Sequence, residues 1–112
     1  VVEETKTVVN EFQQAVNMTA RELESWLNTK ESRSVGQIKE GHEEAIGHES
    51  GRHIVEILHK KQSDYSQDDL SQMKRVISYV RRHSAQKPSG EIEHTRWRYS
   101  LMNWGHDPLK VR

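Results

Sequence analysis

Cysteine is absent from the 112 residues, which excludes a disulfide framework and a thiolate metal site and favours an intracellular setting. Apolar side chains are also in short supply. They make up 32% of the chain against 30% charged residues, and a mean hydropathy of -0.97 leaves material for only a thin core. No run approaches the roughly 18 apolar residues of a membrane span, so no membrane partner is expected. Proline occurs only at Pro88 and Pro108. No fixed-period repeat and no low-complexity block marks a boundary, and the length suits one domain rather than two.

Charge of one sign is missing only in the total. Lysine plus arginine and aspartate plus glutamate are 17 each, yet residues 1–50 hold 5 basic and 10 acidic side chains while residues 51–112 hold 12 and 7. The chain is therefore a dipole. Its second half suits a polyanion or an acidic surface, unless the two halves simply attract one another within the fold.

What is present reads as helix. Val8, Val9, Phe12, Ala15 and Val16 recur at three- and four-residue spacings and share one face. Thr19-Ala20-Arg21-Glu22 has the capping-box pattern and predicts a helix carrying Leu23, Trp26 and Leu27 to about Asn28. Gly36, Gly41 and Gly47 interrupt residues 30–50, where a short helix or turns are expected. Ser50 then reads as the N-cap of a helix carrying Ile54, Val55, Ile57 and Leu58 to Lys60-Lys61. Ser66, with Asp68 and Asp69 in the first turn, opens the strongest pattern: Leu70, Met73, Val76, Ile77 and Val80, ending before Pro88. A last helix is expected after Ser89-Gly90, with Ile92, Thr95, Tyr99 and Met102 on one seam and Trp97, Leu101 and Trp104 on another, closed by Gly105. The expectation is an all-α, single compact domain of about five helices.

Lys74 and Arg81, and likewise Arg75 and Arg82, stand seven residues apart and fall in two adjacent stripes away from the Met73, Ile77 and Val80 face. With Arg96 and Arg98 they form the candidate phosphate-binding set, because guanidinium forks match phosphate oxygens in pairs and neutralising a polyanion releases counterions. The competing reading is a solvated helix face. Trp97, Tyr99 and Trp104 are the candidate partner-binding set, since aromatic residues interleaved with Arg96 and Arg98 can stack bases or close a protein interface. The competing reading is core packing.

Seven histidines raise the question of a metal, and spacing answers it. His48-Glu49-Ser50-Gly51-Arg52-His53 is one residue longer than the zinc pattern HExxH. Five residues turn a helix by about 500°, leaving the imidazoles about 140° apart. No metal, no cofactor and no catalytic residue is assigned. An enzyme built on His48, Ser50, Arg52, His83, His106 and Asp107 is the third reading, behind a nucleic-acid-binding protein (DNA ahead of RNA) and a helical protein-interaction module, self-associating or holding another helix.

Several blocks carry a resemblance. They are Glu24-Ser25-Trp26-Leu27 with Glu31-Ser32 and Ser34-Val35-Gly36; Gly47 to Arg52 with Ile54 to Leu58; Met73 to Val76 with Arg82-His83, Ala85-Gln86 and Pro88; and Thr95-Arg96-Trp97-Arg98-Tyr99-Ser100-Leu101-Met102-Asn103-Trp104-Gly105-His106-Asp107-Pro108. Together they resemble the domain-of-unknown-function family thirty-one forty, small bacterial and fungal proteins whose members are often labelled as DNA-binding candidates. The resemblance covers about residues 19–110, implies DNA binding and brings no catalytic residues with it. Ser84 departs from it, standing where the family carries an apolar residue. Residues 1–18 are read as a helix outside the family pattern and 19–112 as the family-like helical domain.

Overall fold

A computed structural model describes residues 2–35 and 46–110. Its described residues form six α-helices and no strand: α1 Val2–Ala15, α2 Ala20–Leu27, α3 Lys30–Arg33, α4 Ile46–His59, α5 Gln67–Ser84 and α6 Arg96–Asn103, with a 3-10 turn at Gln62–Asp64 before α5. The sixth helix beyond the expected five is α3, a single turn capped by Thr29, whose hydroxyl accepts from the Ser32 amide. The expectations for Gly36, Ile38 and Gly41 lie outside the described residues.

The periodic residues do what their spacing requires. Val9, Phe12 and Val16 are buried, with Val8 and Ala15 packed beside them, and α1 lies along α5. The Thr19 hydroxyl accepts from the Glu22 amide at 3.1 Å and the Glu22 carboxylate accepts from the Thr19 amide at 2.8 Å, so two amides that the helix cannot satisfy are both paired. Ser66 and Asp69 make the same reciprocal cap on α5. At the other end of the chain, the His106 amide donates to Leu101 O at 3.0 Å and the Gly105 amide to Met102 O at 2.9 Å. This is a Schellman closure, and Gly105 sits at φ +80°, a conformation that only glycine adopts without strain.

Two expectations are corrected. Ser50 is not an N-cap: α4 begins at Ile46, and Gly47 and Gly51 lie inside it, facing Trp104, Asn103 and Leu27. These glycines admit a neighbour rather than stopping a helix. The last helix begins at Arg96, capped by Thr95, so Ile92 is buried ahead of it in a loop. Leu70 packs against the core with the rest of its stripe, half-buried, and lines an open groove of about 630 Å³ with Val9, Asn10, Gln62 and Tyr65.

The core joins α1, α2, α4 and α5 through Phe12, Leu23, Ile54, Ile57, Met73 and Val76, each almost wholly removed from water, and Met102 brings α6 into it. No helix of the described residues is long and apolar enough to cross a membrane.

Candidate nucleic-acid interface

The longest helix, α5, presents Ser71, Lys74, Arg75, Ser78, Arg81 and Arg82 on its exposed side while Met73, Val76, Ile77 and Val80 face inward. Two cationic rows therefore run along one face, with serines between them. Residues 70–90 contain five lysines and arginines and no acidic residue, so no carboxylate of this stretch opposes them. The guanidinium of Arg75 donates to Gln72 Oε1 at 3.1 Å and that of Arg82 to Ser78 O, both neutral acceptors on the same helix. Among the described residues no carboxylate pairs with Arg75, Arg82 or Arg96.

Arg81 and Arg98 are placed differently. Arg81 reaches Glu11 of α1 at 3.1 Å, an exposed pair that contributes little to stability. Arg98 turns inward: its Nε and a terminal nitrogen each lie 3.1 Å from an Asp107 oxygen, and its other terminal nitrogen donates to Glu93 O. Burial opposes ionisation of Asp107, but the Arg98 fork and the Leu109 amide outweigh it and hold the carboxyl below its ordinary range. Arg98 thus fastens the closing segment, whereas Arg96 in the first turn of α6 is exposed.

The aromatic residues are held internally. Trp104 is buried and stacks on Tyr79 at 4.3 Å; Tyr79 stacks on His83 at 5.1 Å, and His83 on Trp97 at 6.2 Å. The Trp97 indole donates to His83 O at 2.7 Å, and His83 Nε2 donates back to Trp97 O at 3.2 Å. Burial holds the His83 imidazole below its ordinary pKa, the Trp97 carbonyl offsetting only part of that effect. These reciprocal bonds set Arg96 and Arg82, the residues just before Trp97 and His83, at the same end of α5. Tyr99 lies against Trp26, ring centres 5.4 Å apart.

The six side chains of the enzyme reading are not drawn into one site. His48 donates to Leu27 O of α2 at 2.7 Å, His83 to α6, and His106 Nδ1 to Ala15 O of α1 at 2.7 Å. Asp107 belongs to Arg98, the Ser50 carbonyl accepts from Gln72, and Arg52 is exposed. Three exposed ligand-type side chains, Glu91, Glu93 and His94, come together in the loop before α6.

Two polar centres escaped the sequence reading. The first is Asn103, buried at the end of α6: its Oδ1 accepts from Trp26 Nε1 at 2.7 Å and from the Ser32 hydroxyl, and its Nδ2 donates to Ser32 O at 3.0 Å. One amide thereby joins α2, α3 and α6, using residues of three resemblance blocks. Its only signal in the sequence was a polar residue flanked by Met102 and Trp104.

The second centre is Asp69, almost fully buried, which accepts from Lys60 Nζ at 2.6 Å, His53 Nε2 at 2.9 Å and the Ser66 amide at 3.0 Å. Burial raises its pKa, but the bonds from Lys60, Ser66 and His53 prevail and hold it well below the usual carboxylate range. A depressed carboxylate stabilises the fold above its unfolded-state pKa, and the effect fades as pH falls towards the folded value. Wild-type stability measured by urea unfolding is therefore expected to decline below about pH 4. Asp69→Asn should be less stable at pH 7 and should show a shallower decline; an identical decline in both proteins would remove Asp69 as its source.

Fold and site together define a small helical protein, tied by buried polar centres, with one cationic helix face on which Arg81 is paired to Glu11. The family model for a protein of unknown function (DUF3140) matches residues 11–102, and the chain belongs to that family. The matched span begins at Glu11, within α1, rather than at the residue 19 from which the resemblance was read. No curated protein and no solved structure matches the chain.

Proposed function

We propose that the protein binds nucleic acid, DNA ahead of RNA, through phosphate contacts made by Lys74, Arg75 and Arg82 of α5 together with Arg96 at the start of α6. The observation that carries this reading is the two-row cationic face of α5, on which Arg75 and Arg82 are bonded only to neutral acceptors of their own helix. Arginines held this way keep their charge available for phosphate oxygens. Arg98 is left out of the interface because Asp107 occupies its fork. Base-edge readout has no support in this face, whose remaining residues are serines. An intracellular setting accords with such a partner and with the absence of cysteine.

The test is salt-dependent binding of a fluorescent DNA duplex. Log K should fall with log salt at a slope of about -0.9 per phosphate neutralised, and replacing Arg75 and Arg82 together with alanine should reduce that slope by about two without altering the helical spectrum. Absence of salt-sensitive binding to DNA and RNA, with light scattering reporting a stable dimer, would replace this reading with the interaction module.

A further inference from the structure

The four-ring column runs from the buried interior to the surface. It begins at Trp104 in the core, passes through Tyr79 and His83 of α5, and ends on Trp97, with ring planes within 18° of parallel at every step. Trp97 is half-buried, and it is not among the side chains packed on the main apolar cluster. That is an unusual position for a tryptophan in a chain with so little apolar material, since such a ring is the largest single contribution to a core. Its orientation is fixed by polar bonds instead: the indole N–H to His83 O, and His83 Nε2 to Trp97 O. Arg96 adjoins it in sequence, and Arg82 adjoins the histidine beneath it. A flat ring held in place, partly exposed and preceded in sequence by an arginine, has the composition of a base-stacking platform rather than of a structural filler.

We infer that Trp97 receives an unpaired nucleobase as the next ring of the column, which makes single-stranded nucleic acid the preferred substrate class. This rests on the proposed phosphate-binding role of α5. The arginines hold the backbone and the indole holds a base face, a combination tolerant of sequence because every base has a π-face. A duplex offers the same phosphates but keeps its bases stacked on one another.

The experiment compares three fluorescent ligands of equal length on the full chain: an oligothymidylate strand, the same strand made abasic, and a duplex. The thymidylate strand is expected to bind about tenfold more tightly than the abasic one, the discrimination that one stacked base supplies. Trp97→Leu should remove that advantage while abasic binding stays salt-dependent, and Trp97→Phe, which keeps a ring but loses the N–H bond to His83 O, should retain part of it. Because the wild-type comparison involves no substitution, equal affinities there overturn the inference even if Trp97→Leu fails to fold. Equal affinity for the thymidylate and abasic strands, both salt-dependent, overturns the stacking inference alone. Loss of affinity for both strands in Trp97→Leu while its helical spectrum is intact also overturns it. Absence of salt-dependent binding to any of the three overturns the α5 reading, and the stacking inference with it.

Discussion

Asn103→Leu is expected to lower the stability of the fold by about 4 kcal/mol, which for a domain of this size is a fall in Tm of about 20 °C. Leucine has the branching of asparagine but a larger volume, so some overpacking adds to a cost that is chiefly one of polarity. It would strand the Trp26 indole N–H, the Ser32 hydroxyl and the Ser32 carbonyl, all of which the Asn103 amide satisfies in the native state. Each buried group left without a partner costs about 1–3 kcal/mol, and the hydroxyl can recover part of this by rotating. Ser32→Ala removes only one member of the arrangement and should cost about 1 kcal/mol. Thermal unfolding followed by circular dichroism separates the two variants. A loss in Asn103→Leu no larger than that in Ser32→Ala would mean that the amide is not the centre on which α2, α3 and α6 converge.

The second large effect concerns a hydrogen atom. A methyl group at Gly51 would stand 2.6 Å from Asn103 O and 2.7 Å from Leu27 Cδ2. The first of these is backbone and cannot swing aside. Alanine in a helix interior gains up to about 1 kcal/mol over glycine, but overpacking costs about 1–3 kcal/mol and more where backbone must move. Gly51→Ala is therefore expected to destabilise by a net of about 2 kcal/mol, against the direction of helix propensity. Gly47, four residues earlier on the same helix, is the internal comparison. Its added methyl would meet Trp104 Nε1 at 3.3 Å and Asn103 Cβ at 3.6 Å, contacts that small shifts can relieve. Gly47→Ala should cost less than Gly51→Ala in urea unfolding. The reverse order would show that α4 does not approach α6 most closely at Gly51.

These glycines also show where the sequence was hard to read. Thr19 with Glu22, Ser66 before Asp69, and Gly105 each act locally, through bonds made within a few residues, and all three were legible. Gly47 and Gly51 act through contacts with α2 and α6, distant in sequence, so a local reading took Gly47 for an interruption and Ser50 for a cap. The start of α6 was placed too early for a similar reason: Ile92 fits the helical seam but is buried from a loop that Thr95 O–H and N–H bonds to Ile92 O draw tight. Of the candidate interface, the stripes Lys74/Arg81 and Arg75/Arg82 follow from helical geometry and were visible. That Arg98 would turn to Asp107, nine residues on, depended on the loop after Gly105. Asn103 and Asp69 were invisible as centres because partners of each come from other elements: Trp26 of α2 and Ser32 of α3 for the first, His53 of α4 and Lys60 just beyond it for the second. Tyr79, which links Trp104 to His83, was passed over because no spacing within α5 marks it.

The closing segment also bears on the order in which the structure can form. Gly105 O accepts from the Asn17 and Met18 amides, the Asp107 amide donates to the Asn17 side chain, and Asn17 donates back to Asp107 O across 90 residues of chain. Helices α1 and α5 can each appear early, since their bonds are local. The seam between residues 15–18 and 105–107 cannot close until residues 105–107 have left the ribosome, and loops this long pay their closure entropy before any contact rewards them. During synthesis the acidic α1 and the cationic α5 therefore exist before the clasp between residues 15–18 and 105–107 can form.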